Sequence, residues 1–183
     1  MGRHKKEVLF LECVPKGSEK KEGEAIKRFA ELMEKNIEVI EIKKAEDFFK
    51  SLESNNHDYI HISCHGYEDD SNGQQYIGLP YGSIHPQDFT GRKGLKDRFI
   101  FLSGCSLGKE NFVDPFWKIT QPKMLIAPQR DIEFIDAAAF WIILYYNRFY
   151  QRETLNKSFK IAKKMINNRG AMERYYRSGH GKE

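Results

Sequence analysis

The chain has 183 residues, 40% of them hydrophobic and 31% charged, with a net charge of +4; this is the balance of one soluble globular domain, residues 1–183, with a single sizeable core. No apolar run approaches the ~20 residues of a membrane span, and the start MGRHKKEVLF lacks the apolar stretch of a secretory signal, so neither a membrane partner nor export is expected. Three widely spaced cysteines, Cys13, Cys64 and Cys105, argue against a disulfide framework and for reduced thiols in a cytoplasmic protein.

Residues 7–14 (EVLFLECV) read as a first buried strand that turns out at Pro15-Lys16-Gly17. A polar loop is expected over 18–23, then a helix over 24–35 with Ile26, Phe29, Ala30 and Met33 at helical spacing. Asn36 breaks it. Residues 37–43 (IEVIEIK) alternate apolar and polar, as a strand towards a sheet edge does, and 45–54 form a second helix with Phe48, Phe49 and Leu52 on one face. The next strand is DYIHISCHG, residues 58–66. This alternation of strand and helix predicts an α/β fold with a mainly parallel, helix-covered sheet.

An acidic, flexible loop (YEDDSNGQQ) follows, then YIGLPYGSI with the Gly and Pro punctuation of a hairpin, and a short helix or turn within 85–96. FIFLSGCSLG, residues 99–108, is an apolar strand running abruptly into small residues. A loop is expected over 108–122 and a short strand over 124–127 (MLIA), stopped at Pro128. A strongly apolar helix lies within 132–150 and an amphipathic one within 154–168; from 170 onwards a short helical turn and a tail are expected. Residues 151–183 carry nine Lys/Arg against three Asp/Glu. This basic C-terminal helix and tail reads as a solvated surface; nucleic acid is not indicated directly.

Open parallel sheets place their crevices at the carboxyl ends of the strands. Two such ends carry chemistry: His65-Gly66 and Gly104-Cys105, an imidazole and a thiol, the pairing of a general acid/base with a nucleophile. Cys64 alternates with Ile60 and Ile62 on one strand face and reads as core, as does Cys13; His61, inside the strand, reads as a hydrogen-bonded core histidine. Rival chemistries fail on spacing. A C-x5-R phosphatase loop needs Arg where Asn111 stands, and GCSLGKE departs from a Walker A loop in glycine spacing and at Glu110. His61 and His65 lie on a strand without the helical H-E-x-x-H pattern, so no metal site is expected. No cofactor fingerprint is present.

At these residues the chain resembles the caspase-like clan CD cysteine peptidases, and among them the CHAT branch, whose domains often accompany TPR repeats. DYIHISCHG resembles the strand ending in the family's His-Gly, and FIFLSGCSLG the strand ending in its Cys. MLIAPQRDIEFIDAAAFWIILYYNRFY resembles the following strand, loop and helix, and IGLPYGSIHPQDFTG the segment between the His and Cys blocks. The resemblance covers about residues 59–164. APQRD departs from it, standing where relatives often carry a Trp-containing turn. It implies a caspase/haemoglobinase-like three-layer α/β/α fold and a cysteine endopeptidase with Cys105 as nucleophile and His65 as general acid/base. It also implies an oxyanion site made by the backbone N–H groups of Gly66 and Cys105, and no cofactor.

The turn after the 124–127 strand is the expected wall of the pocket for the side chain before the scissile bond. Arg130 there would select an acidic side chain, whereas Asp131 and Glu133 would meet Lys or Arg, which is the preferred expectation. Expected partners are a protein or peptide substrate and an activating or sensor protein. Two alternatives stay open: a catalytically silent caspase-like binding or regulatory subunit, and a Cys-His amidase or acyltransferase.

Overall fold

The structure, a computed structural model, describes residues 8–15 and 22–176. Five parallel strands form most of one sheet: β1 (Val8–Glu12), β2 (Ile37–Glu41), β3 (Tyr59–Ser63), β7 (Phe99–Ser103) and β8 (Met124–Pro128). Their order is β2-β1-β3-β7-β8, with β9 (Met172–Tyr176) antiparallel beside β8. A small antiparallel sheet is made by β4 (His65–Glu68), β5 (Gln75–Leu79) and β6 (Gly82–Ile84).

The continuous apolar runs of the central strands have a direct cause: both faces of the sheet are covered. Leu9, Leu11, Ile60, Ile62, Ile100, Leu102 and Leu125 point into one core, against α2 (Ala45–Glu53) and α3 (Glu110–Thr120). Val8, Phe10, Tyr59, Phe101, Met124 and Ile126 point into the other, against α1 (Glu22–Leu32), α4 (Phe134–Tyr145) and α5 (Leu155–Met165). The period of two thus feeds two cores at once, and the fold is the expected α/β/α sandwich.

Several elements depart from the sequence reading. Residues 110–120 are helical rather than a loop, although Pro115 lies inside and forfeits one backbone hydrogen bond. Burial outweighs that loss: Phe112 and Phe116 stack at 5.3 Å, and Phe116 meets the Phe89 ring edge-on at 5.0 Å. Residues 172–176 form a strand, not a helical turn, because pairing with β8 from Met124↔Tyr176 to Pro128↔Met172 satisfies its edge. Helix α1 begins at Glu22, within the stretch read as a polar loop. The segment after Gly66 continues as β4 to Glu68 and turns through hydrogen bonds from Gly73 N to Asp69 O (2.7 Å) and from Ser71 N to the Asp69 carboxylate (2.8 Å), so it is an ordered hairpin turn. The start of the first strand at Glu7, most of the 18–23 loop and the tail beyond 176 lie outside the described residues.

His61 is fully buried among Phe10, Trp141 and Tyr145, with Nδ1 2.6 Å from the Tyr145 hydroxyl. Burial depresses its pKa well below the usual histidine range, so it is a neutral core group.

Candidate functional site

The β3–β7 ladder has a constant offset, from Tyr59↔Phe99 to Ser63↔Ser103. His65 and Cys105 therefore each stand two residues beyond the last paired rung, and Cys64 N extends the ladder to the Ser103 carbonyl at 2.9 Å. The register brings the two chosen positions to one carboxyl edge of the sheet.

Backbone contact makes that juxtaposition close. A Cβ on Gly66 would fall 1.9 Å from the Cys105 carbonyl oxygen and 3.1 Å from its nitrogen, so the His-Gly turn lies directly on the Cys105 main chain. Only glycine permits this approach. Gly104 is also confined: a Cβ there would meet Leu107 Cδ1 at 2.7 Å and Cys64 Sγ at 2.8 Å.

After Cys105 the chain turns sharply through Ser106, at φ 59° in the left-handed region, a strained conformation for serine. The turn is held by the β8–α4 loop: Ser106 N donates to Arg130 O (3.3 Å), Gly108 N to Pro128 O (2.7 Å) and the Ser106 hydroxyl to the Asp131 carboxylate (3.1 Å). The Cys105 thiol donates to the Ile132 carbonyl at 3.7 Å. Among the described residues the backbone N–H of Cys105 has no acceptor, whereas those of Ser106, Leu107 and Gly108 are engaged. On the other side, the His65 ring meets Phe134 edge-on, centroids 5.6 Å apart. Ile132, in the loop before α4, and Phe134, the first residue of α4, thus touch the two chemical residues, and neither was singled out in the sequence.

Arg130, Asp131 and Glu133 are all exposed on this loop. Glu133 occupies the N-cap position of α4 without a side-chain cap bond. Asp136, in the first turn of α4, pairs with Arg169 at 3.2 Å. The hairpin turn is tethered to the opposite flank by Lys109–Glu68 (3.0 Å) and by Asn111 donating to the Gly73 carbonyl.

Electrostatics separate the cysteines. Burial pushes the Cys13 and Cys64 thiols well above the ordinary range, while Cys105 is partly exposed. Limited iodoacetamide treatment with peptide mapping is expected to label Cys105 first, since reactivity follows thiolate character and access; equal labelling of Cys64 would contradict the assignment.

One further group was missed. Glu22, 3% exposed, accepts the Ser63 hydroxyl at 2.5 Å and the Ser103 hydroxyl at 2.9 Å. A glutamate at a predicted loop edge carries no signal of this in the sequence. Among the described residues no group of three or more His, Cys, Asp or Glu could hold a metal ion, and no helix is long and apolar enough to cross a membrane.

No family model matches the chain, and no curated protein sequence is significantly similar to it. Among solved structures it is similar to the separase of Saccharomyces cerevisiae, seen in a separase–securin complex, with a TM-score of 0.59 and 12% identity. The match takes in 93% of this chain but 12% of that one, so the chain spans a small part of the separase length. The likeness is one of fold, and that fold is caspase-like.

Proposed function

We propose that the chain is a caspase-like cysteine endopeptidase domain of the CHAT type, acting through Cys105 and His65. The observation that carries this is the register of β3 and β7, which ends both strands on one edge with the Gly66 backbone against that of Cys105. The Cys105 thiolate attacks the scissile carbonyl carbon, and its electron pair forms the C–S bond while the carbonyl oxygen becomes the oxyanion. Backbone N–H groups of Cys105 and Gly66 stabilise that charge; one such donor is typically worth about 3 kcal/mol. His65, as imidazolium, protonates the departing amine as the C–N bond breaks. The same imidazole then takes a proton from water, which hydrolyses the thioester and restores the thiolate.

The loop that fixes Cys105 also borders the substrate crevice, with Asp131 held towards the Ser106 turn and Glu133 at the head of α4. Two carboxylates against one guanidinium favour Lys or Arg before the scissile bond. A fluorogenic panel varying that residue tests both the activity and the preference. Cleavage after Lys or Arg is expected, with Asp131→Asn or Glu133→Gln costing about 1.5–3 kcal/mol in kcat/KM if it meets that cation. Cleavage after Asp would assign the pocket to Arg130 instead.

Control by a protein partner belongs to the proposal. The structural neighbour was crystallised as a complex with securin, and an unrestrained intracellular endopeptidase is hazardous. Its partner would act on the segments that flank the crevice, the hairpin turn after β4 and the start of α3.

A further inference from the structure

We propose that Glu22 is a positioning residue for this site: its buried carboxylate, held by Ser63 and Ser103, ties together the ends of the two strands that present His65 and Cys105. The inference rests on reading that pair as the reacting groups. One oxygen, Oε2, accepts from Ser63 Oγ at 2.5 Å and the other, Oε1, from Ser103 Oγ at 2.9 Å. Ser63 and Ser103 are partners on the final rung of the β3–β7 ladder, and each precedes its chemical residue by two. One side chain therefore spans the gap that sets the separation of imidazole and thiol.

The clamp is anchored from behind. Gly23 N donates to the Glu12 carboxylate at 3.1 Å, which pins the first turn of α1 to the end of β1. Gly23 also sits so close to the sheet that a Cβ would fall 2.9 Å from the Phe10 ring and 3.1 Å from Val39. Glu22 thus enters the sheet from a fixed helix start, not from a free side chain.

Its ionisation works against the fold. Burial, with a smaller push from Glu12, raises the Glu22 pKa to about 7, and the two serine hydroxyls pull the other way. The groups around it are Glu12 from β1, Ser63 from β3, Cys64 just after that strand, Ser103 from β7 and Tyr145 from α4. With a folded pKa near 7 and a reference value of 4.5, its contribution to stability is fully present below about 4.5 and is lost as pH rises through 7. The ionised form that accepts both hydroxyls is therefore the form the fold disfavours. A buried carboxyl that spans the last rung of the ladder, two residues before each member of the reactive pair, points to a role in the site. Protonation places a hydrogen on one oxygen, which then donates to its serine Oγ instead of accepting from it; the backbone ladder still joins the strands, and the geometry of the tie changes.

The test separates positioning from stability. Glu22→Leu removes both acceptor oxygens and the buried charge while keeping the side chain's bulk. At pH 8 it is expected to melt at or above the wild-type temperature, yet Cys105 alkylation by iodoacetamide should slow about tenfold or more, misplacement by 1 Å being enough for about a hundredfold. Carboxyl 13C NMR of the wild type should show one glutamate titrating near pH 7, moved to higher pH in Ser103→Ala. If Glu22→Leu fails to fold, the Ser63→Ala/Ser103→Ala pair provides the same comparison with the carboxylate in place. Wild-type alkylation rates in these variants would overturn the proposal. Neither readout needs peptide cleavage. A Glu22-dependent Cys105 in a chain that cleaves nothing would sink the peptidase reading alone, and an active peptidase indifferent to Glu22 would sink this one.

Discussion

Gly66→Ala is expected to lower turnover about a hundredfold or more while leaving most of the fold in place. The added methyl would lie 1.9 Å from the Cys105 carbonyl oxygen and 2.9 Å from its carbonyl carbon. These are main-chain atoms, so no rotamer change relieves the overlap. The strand ends must part by more than an ångström, a displacement that costs about a hundredfold in rate when it separates reacting groups. The stability cost is that of local overpacking, about 1–3 kcal/mol. Loss of activity with a modest fall in melting temperature is the expected result. Wild-type kcat/KM in Gly66→Ala would show that the two turns need not touch.

The second large effect concerns His65 and Cys105 together. Each alanine variant is expected to lose activity almost completely, and the double variant to lose little more, because groups acting as one unit are not additive. His61→Ala should instead mainly destabilise: it removes an imidazole fully buried against Phe10 and Trp141 and leaves the Tyr145 hydroxyl without its 2.6 Å partner. Thermal melts beside steady-state kinetics separate the two outcomes. A folded His61→Ala protein without turnover, next to an active His65→Ala protein, would reverse the assignment.

The parts of the fold legible in the sequence are those whose cause is local. Central strands read as apolar runs because both faces are covered, and α2 and α5 read as periodic stripes because each packs one face. The edge position of His65 and Cys105 was legible because each follows the apolar run of a strand, His65 before Gly66 and Cys105 among small residues. What escaped depends on distant partners. Helix α3 carries Pro115, a local breaker, and exists because Phe112 and Phe116 fill a core lined by Phe89 and the sheet. Strand β9 reads as a basic tail until β8 pairs with it. Glu22 looks like a solvated residue in a lysine-rich stretch, and only the serines of two remote strands show it to be buried. Ile132 acts through its carbonyl, which no side-chain pattern encodes.

The central claim is that Cys105 cuts peptide bonds with the help of His65. Its most direct test is incubation of a whole proteome with the wild-type chain and, in parallel, with Cys105→Ala, reading new protein termini by mass spectrometry. The account predicts new termini in the wild-type digest alone, with Lys or Arg dominant on the amino-terminal side of the cuts, and with the candidate protein partner added where the isolated chain is weakly active. Identical termini from wild type and Cys105→Ala, with or without that partner, would contradict it.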